Sequence, residues 1–176
     1  MEKTLQSKIL YQGKVFQHRQ DQVLTHCGEK AIRDLIVHPG AVAIVPVLND
    51  REIILIKQFR KALDKEIYEI PAGTLEPGEP PELCAKRELE EECGYQAKKW
   101  EKSLSFYTAP GFCTELIHLF FARNLTQTAQ NLEPDEQIEP ISANWNEIQK
   151  WIEEKKIQDA KTMIGISVWR GCLGKS

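Results

Sequence analysis

The densest set of groups that could do chemistry is RELEEECG, residues 87–94. On a helix, residues three and four apart share a face. Glu88, Glu91 and Glu92 therefore lie together, while Glu90 points roughly the opposite way. Carboxylate oxygens are the ligands that Mg²⁺ prefers, so the shared face is a candidate metal site. A solvated charged face is the alternative.

Local charge compensation helps to separate the two interpretations. Two helical series of alternating sign account for part of the charge: Glu82–Lys86–Glu90 and Arg87–Glu91. Glu88 and Glu92 have no such partner, and they are like charges four residues apart. They also lie near the negative end of the helix dipole. The like-charge repulsion and the dipole each disfavour these carboxylates by less than about 1 kcal/mol. A divalent cation would reverse these penalties, although spacing alone leaves both interpretations open.

The segment that must present these glutamates predicts a helix from about Pro81 to Cys93. It contains no glycine and is rich in helix formers. Pro80 and Pro81 suit a helix start, and Gly94 suits the position just past the last turn.

Short β-like runs dominate the rest of the chain. Those before the helix are KILYQGKVFQHRQ, QVLTH, AIRDLIVH, AVAIVPVL, REIILIKQF and KEIYEI; those after it are KSLSFYTA, LIHLFFARNL and IEPIS. Asn144 and Asp159 have the character of N-caps for two final helices. Many strands, one helix, more strands and two helices indicate an α+β domain with a mixed sheet, not a regular βαβ alternation.

Composition excludes several classes of protein. The 176 residues, 41% hydrophobic, have a net charge of −3 and show no basic stripe that would indicate nucleic-acid binding. No apolar run approaches the roughly 18 residues of a membrane span, and the first residues lack a secretory layout. The five cysteines are scattered, without CxxC or zinc spacing. We therefore expect reduced thiols and a cytoplasmic protein.

The spacing around the helix carries a family resemblance. Gly73 is followed by five residues and Glu79, and seven more lead to the segment 87–94. This resembles the Nudix box, the signature of hydrolases that cut nucleoside diphosphates linked to another moiety. Every fixed position is matched, and the one departure is Tyr95, where an aliphatic residue is usual. The resemblance implies a Nudix-type α/β/α sandwich with a mixed sheet.

The same resemblance implies a metal site. Glu88, Glu91 and Glu92 would be the metal-binding glutamates, and the carbonyl of Ala72 would be a further ligand. The cofactor would be Mg²⁺, or Mn²⁺, with two or three ions per site. Gly73, Glu79, Arg87 and Gly94 would be structural: they are the remaining signature residues, with Arg87 joining loop to helix through a carboxylate such as Glu79.

Outside the box, KQFR at 57–60 and EIPAG at 69–73 resemble segments of the ADP-ribose pyrophosphatase branch. Pro110 lies close to the position of that branch's marker proline. The implied activity is metal-dependent hydrolysis of ADP-ribose or a related nucleoside diphosphate sugar, giving a nucleoside monophosphate and a sugar phosphate. GDP-mannose or a broad set of nucleotide sugars is an alternative substrate, and a non-catalytic nucleotide-binding regulator is an alternative role.

The N-terminal third is similar to the additional sheet through which these enzymes form dimers, often by strand exchange. Residues 1–38 would then be a dimerisation element with antiparallel strands, and residues 39–176 the hydrolase domain. A homodimer and a small-molecule substrate are the expected partners, with neither nucleic acid nor membrane.

Five residues are candidates for substrate contact. Arg60 and Arg33 lie near strand ends, and a guanidinium binds phosphate bidentately; surface arginines are the alternative. Phe16 offers an aromatic face for adenine, or is a core residue. Glu69, in the EIPAG segment, and Glu115, after the Pro-Gly turn, are further candidates, with Glu115 suited to a terminal ribose.

A polar acidic loop with little to hold it rigid precedes the last predicted strand. In the branch that the chain resembles, a glutamate of the corresponding loop lies over the metals as ligand or base. Glu136 has the matching place and would join Glu91 and Glu92 as a catalytic and metal-binding candidate. Glu133 and Asp135 are alternatives, and such loops can close over substrate.

Overall fold

The structure, a computed structural model, describes residues 1–134 and 136–173. Its elements are β1 Lys3–Gln12, β2 Gln17–Leu24, β3 Lys30–Val37, β4 Ala41–Asn49, β5 Glu52–Arg60, β6 Lys65–Glu69, β7 Ala72–Thr74, α1 Pro81–Cys93, β8 Tyr95–Tyr107, β9 Leu116–Gln127, β10 Ile138–Asn144, α2 Trp145–Glu153 and α3 Ala160–Leu173. The predicted α+β class is confirmed. Within the described ranges, every helix falls short of the length and apolar character that crossing a bilayer requires.

The main sheet has the strand order β10-β5-β4-β9-β8, with β6 added on β5 and β7 on β4. The pair β4 and β9 is parallel, whereas the other pairs of this sheet are antiparallel. The sheet is therefore mixed, as predicted. Strand β7 is three residues long, and so short an extended segment has no alternation of side chains from which a strand could be predicted.

Strand β4 forms the centre of the molecule and is buried on both faces. Side chains alternate across a strand, so Ala43 and Val45 pack in the core that includes residues of α2 and α3, whereas Val42 and Ile44 pack against α1. Burial on both faces explains why AVAIVPVL is a continuous apolar run. One helix on one face and two on the other make the α/β/α sandwich.

Strands β1, β2 and β3 form a separate antiparallel sheet. Strand β1 is exposed along its whole length, and its exposed side chains include Leu5 and Ile9. The predicted continuous strand over KILYQGKVFQHRQ is wrong, because the chain turns at its centre: the Gly13 N–H donates to the Phe16 carbonyl at 2.9 Å. Glycine was the only turn signal in this polar stretch.

Candidate active site

Helix α1 covers the predicted residues and positions the glutamate cluster. Ala85 and Leu89 are fully buried against the β4 face, and this packing fixes the rotation of the helix. Gly94 ends it in the left-handed conformation, with φ 67°, which costs glycine little. Glu88 and Glu92 consequently face the segment that contains β7.

Glu88 lies directly against Gly73. A Cβ atom on residue 73 would lie 1.9 Å from the carboxyl carbon of Glu88, far inside van der Waals contact. Gly73 is itself held in β7, where it pairs with Val42. The glycine of the box is therefore needed because the carboxylate occupies the space of a side chain.

Glu92 is a buried carboxyl group, only 4% exposed. Its Oε2 accepts a hydrogen bond of 2.9 Å from the Ala72 N–H. Burial, followed by the negative charge of Glu88, raises the pKa of Glu92 to about 8, and Glu136 adds to the effect. Glu92 is thus largely protonated at neutral pH in the metal-free protein.

Arg87 connects the loop to the helix. Its Nε and Nη2 donate to the two carboxylate oxygens of Glu79, each at 3.1 Å. Its Nη1 donates to Glu88 at 2.6 Å and to Glu91 at 2.9 Å. The expectation that Glu88 lacks a cation within the chain is therefore wrong, because the long Arg87 side chain reaches its neighbour in sequence.

The predicted charge ladder on the other side of α1 forms only in part. Lys86 Nζ contacts Glu82 at 2.8 Å, whereas Glu90 accepts a hydrogen bond of 2.8 Å from Gln96 Nε2. Glu90 therefore belongs to the helix surface and not to the glutamate cluster.

The residues of the cluster fit a hard divalent cation that keeps part of its own shell. Within the described residues, no three His, Cys, Asp or Glu side chains converge closely enough to hold an ion alone, and Glu91 is turned towards Arg87. Mg²⁺, however, usually takes one or two carboxylates and completes its shell with water and substrate phosphates. Glu88 and Glu92 are a desolvated pair of carboxyl groups, and burial raises the pKa of Glu88 as well, although the charge and hydrogen bond of Arg87 oppose this effect. A cation would relieve both effects.

The first part of the loop after β9 is anchored to the end of α1. The Thr128 N–H donates to the Gly94 carbonyl at 2.7 Å, and Gln130 Nε2 donates to the Glu92 carbonyl at 2.6 Å. The expectation that little holds this loop is wrong for these residues, because the free carbonyls at the helix end supply acceptors.

Glu136 lies within electrostatic reach of the cluster, since its charge contributes to the raised pKa values of Glu88 and Glu92. Its own carboxylate accepts a hydrogen bond of 3.1 Å from the Glu133 N–H, which closes a local turn. Asp135, one of the alternatives to Glu136, lies outside the described residues.

A cavity of about 580 Å³ adjoins the cluster. Its lining includes Arg60, Glu69, Ala72, Gly73, Glu115 and Lys161. Ala72 and Gly73 line this cavity and also contact Glu92 and Glu88, so the two carboxylates lie directly behind its wall.

Arg60 reaches this cavity with only part of its guanidinium free. Its Nε and Nη2 donate to the two oxygens of Glu69, each at 2.7 Å, and Nη1 makes no hydrogen bond to any described residue. The hydrogen bonds that Arg60 donates to Glu69 raise the Arg60 pKa, with a smaller contribution from the charge of Glu92. The side of the Arg60 guanidinium that was expected to bind phosphate therefore donates to Glu69, and only the Nη1 side is left for a ligand.

Glu69 is a buried carboxylate between two cations, since Lys161 Nζ also contacts it. Burial opposes its ionisation, yet the hydrogen bonds and charges of Arg60 and Lys161 hold its pKa below the ordinary value. Sequence reasoning missed Lys161. The only signal near it was the predicted helix start at Asp159, which places Lys161 in the first turn of α3.

The remaining candidates lie in two places. Glu115 lines the cavity and accepts a hydrogen bond of 2.7 Å from the Thr108 hydroxyl. Arg33, in β3, pairs with Glu2, and Phe16 is exposed in the turn between β1 and β2. Neither Arg33 nor Phe16 is among the residues that line the cavity within the single chain.

Comparison with known proteins agrees with this geometry. A family model described as NUDIX domain matches residues 37–164. A protein named ADP-ribose pyrophosphatase from Bacillus subtilis (strain 168) is 42% identical over 167 residues, covering 94% of this chain and 90% of the relative. A protein named methanol dehydrogenase activator from Bacillus methanolicus is 41% identical with the same coverage.

A solved structure described as an ADP compounds hydrolase superposes with a TM-score of 0.87. The match covers 98% of this chain and 94% of the other, at 19% sequence identity. At that identity the likeness establishes the fold, including the N-terminal strands, and leaves the substrate to other evidence.

Proposed function

The chain belongs to the NUDIX family, and we propose that it is a hydrolase of the diphosphate bond in ADP-ribose or a related nucleoside diphosphate sugar. The products are a nucleoside monophosphate and a sugar phosphate. The observation that carries the proposal is the pair of desolvated carboxylates, Glu88 and Glu92, which contact Gly73 and Ala72 in the wall of a cavity that Arg60 also lines. The 42% identity to an ADP-ribose pyrophosphatase supports this choice of substrate.

Members of this family typically use a divalent metal ion. We propose Mg²⁺ or Mn²⁺, two or three ions, held by Glu88, Glu91, Glu92 and Glu136 with the Ala72 carbonyl. When bound, such ions neutralise diphosphate charge and lower the pKa of water. In the present geometry Glu91 would have to leave Arg87, and Glu136 would have to leave its local turn.

The residues of the chain then have distinct roles. Glu92, deprotonated in the loaded site, carries the charge that the ions need, and Arg60 directs its Nη1 edge towards the diphosphate. Glu136 orients or deprotonates the attacking water. Glu115 contacts the terminal ribose. Phe16 contacts adenine and Arg33 contacts phosphate only in an assembly that brings an N-terminal sheet to the cavity.

The substrate assignment is tested with a panel of nucleoside diphosphate sugars in the presence of Mg²⁺. We expect ADP-ribose to have the highest kcat/KM, about ten-fold or more above GDP-mannose, because differences in base contacts of about 1.4 kcal/mol suffice for this factor. Phosphatase-sensitive product measures the rates. Equal or higher turnover of GDP-mannose would replace ADP-ribose by the alternative substrate.

The same reaction in ¹⁸O water tests the chemistry. The label should enter one of the two phosphate products after a single turnover, because water is the nucleophile. Label retained on the protein after denaturation would contradict the proposal and indicate a covalent intermediate.

A purely regulatory role is the second candidate, since one relative is named as an activator of another enzyme. Such a role does not require a carboxylate cluster that is costly to bury, whereas Glu88 and Glu92 retain one here. We therefore propose catalysis as the activity. We also propose that it takes place in the cytoplasm, where the free thiols of Cys27, Cys84 and Cys113 stay reduced.

We propose residues 1–38 as a dimerisation element and residues 39–176 as the hydrolase domain, with a homodimer formed through the N-terminal sheet. Strand β1 is exposed along its length and presents Leu5, Ile9 and Tyr11 to solvent. An exposed edge strand of this length with apolar side chains is a ready site for pairing with another chain.

The dimer is tested with the double variant Leu5→Lys/Ile9→Lys. We expect its sedimentation coefficient to change from that of a dimer to that of a monomer at micromolar protein, because two buried charges would face each other in the interface. Lys3→Glu is the matched control on the same strand and should leave the dimer intact. A wild-type protein that sediments as a monomer would refute the proposal.

A further inference from the structure

The buried side of the cavity contains a group of four charges that the glutamate cluster does not include. Glu69, 1% exposed, lies between the Arg60 guanidinium and the Lys161 ammonium. Lys161 Nζ is also 3.0 Å from Asp159 Oδ2. The two cations and two carboxylates balance, so the group adds no net charge to the cavity wall.

Lys161 is held in place independently of its charge. Asp159 accepts hydrogen bonds from the N–H and the hydroxyl of Thr162, at 2.9 and 2.7 Å, which fixes the first turn of α3. The Thr162 hydroxyl in turn accepts a hydrogen bond of 2.9 Å from the Ile70 N–H, next to Glu69. The start of α3 is thereby attached to the segment that leads into Ala72.

Arg60 depends on this arrangement to present an edge to a ligand. Glu69 occupies Nε and Nη2, and the side chain of Arg60 is still 39% exposed, so its remaining edge faces the cavity. If Lys161 were absent, Glu69 and Asp159 would outnumber Arg60 by one negative charge. The cavity must receive a diphosphate, which carries negative charge itself, and a like charge at this range is unfavourable.

We propose that Lys161 is a positioning residue for substrate binding: it offsets the charge of Glu69 so that Arg60 remains available to the diphosphate. The inference rests on the proposed function and deepens it, since it assigns charge selection at this cavity to a residue of α3. Lys161 acts through Glu69 and Arg60, and it does not itself take part in bond cleavage.

The experiment compares Lys161→Met with Thr162→Val in the full chain with Mg²⁺. We expect Lys161→Met to raise the KM for ADP-ribose about ten-fold or more, with kcat changed by less than about three-fold, because a binding effect and not a chemical one is removed. Thr162→Val removes the hydroxyl but no charge, so it should lower the melting temperature and leave KM unchanged. An unchanged KM in Lys161→Met at full wild-type activity would overturn the inference.

The double variant Glu69→Gln/Lys161→Met separates charge compensation from direct contact. If Lys161 acts by offsetting Glu69, removing both charges should bring KM back to within about three-fold of the wild type, as expected for coupled residues. If Lys161 touches the substrate, the double variant should keep the high KM of Lys161→Met, and this result would refute the positioning role.

Calorimetric measurement of ADP binding tests the role of Lys161 separately from the proposed substrate. ADP carries a diphosphate and needs no turnover, so Lys161→Met should weaken its binding about ten-fold or more even where another sugar nucleotide proves to be the substrate. A wild type that fails to hydrolyse ADP-ribose refutes the proposed substrate. Equal ADP affinity in wild type and Lys161→Met refutes the role of Lys161.

Discussion

Replacing Glu92 with glutamine is expected to lower kcat/KM by about a thousand-fold or more, equivalent to a rise of about 4 kcal/mol in the activation free energy. Glutamine keeps the size of the side chain and an oxygen that accepts the Ala72 N–H. It removes the buried carboxyl group beside Glu88, which would supply negative charge to a bound ion once deprotonated. The fold should persist, because the substitution leaves no cavity and no lost backbone hydrogen bond.

Glu90→Gln is the matched control, since it makes the same change on the same helix, where Glu90 accepts a hydrogen bond from Gln96 and lies outside the glutamate cluster. Its kcat/KM should stay within about two-fold of the wild type, as surface substitutions away from such features usually do. Mn²⁺ binding, followed by paramagnetic resonance, should be weakened in Glu92→Gln alone. Turnover of Glu92→Gln at the wild-type rate would refute the metal assignment.

The stability of the metal-free protein is expected to fall as the pH rises from about 5 to about 8. The folded state holds the Glu92 proton more tightly than the unfolded chain does, because the pKa is raised from 4.5 to about 8. This contribution to the free energy of unfolding is fully present below the pKa of the unfolded state. It is lost as the pH rises through the pKa of the folded state. At about 1.4 kcal/mol per pKa unit, the loss is on the order of 3–5 kcal/mol.

Urea unfolding in the presence of a chelator measures this dependence. In Glu92→Gln the decline should be largely absent, so that above pH 8 the inactive variant is more stable than the wild type. Adding Mg²⁺ at pH 8 should raise the free energy of unfolding of the wild type alone, since a ligand that binds only the folded state stabilises it. A wild type and variant with parallel pH profiles would contradict the burial of an ionisable Glu92.

The fold was predictable wherever local rules act on neighbouring residues. Pro80 and Gly94 bound α1, and Asn144 caps α2 with a side chain that accepts from the Asn146 and Glu147 amides. The continuous apolar run of β4 indicated a central strand, because burial on both faces leaves no polar alternation. The turn between β1 and β2 was missed, since residues 8–20 carry polar side chains on both faces and supply no pattern that could fix its position.

The sequence predicted which residues form the glutamate cluster of the candidate site, but not which side chains contact each other there. The spacing of Glu88 and Glu92 identified the cluster, yet whether a helical residue is buried depends on what packs beside it, here Ala72 and Gly73. The partner of Glu88 proved to be Arg87 because a flexible side chain can fold back along its own helix. Spacing rules describe helical faces and do not describe such conformations.

The contacts in the cavity wall could not be predicted from the sequence, because they join residues that are far apart along the chain. Lys161 and Glu69 are 92 positions apart, and no local rule connects two single charges at that separation. Arg60 was expected to bind phosphate with its whole fork, because nothing in the sequence shows that Glu69 returns to it across the β5–β6 hairpin.

The parallel pairing of β4 with β9 has a consequence for how the protein acquires activity during folding. Ala41 pairs with Ile117 across the intervening hairpin, helix and strand, and such non-local pairing forms slowly because loop entropy is lost before contacts compensate it. The start of α3, which carries Lys161, also meets the segment around Ile70 from a distance of 92 positions. The wall of the cavity is therefore complete only once α3 has packed against the segment around Ile70.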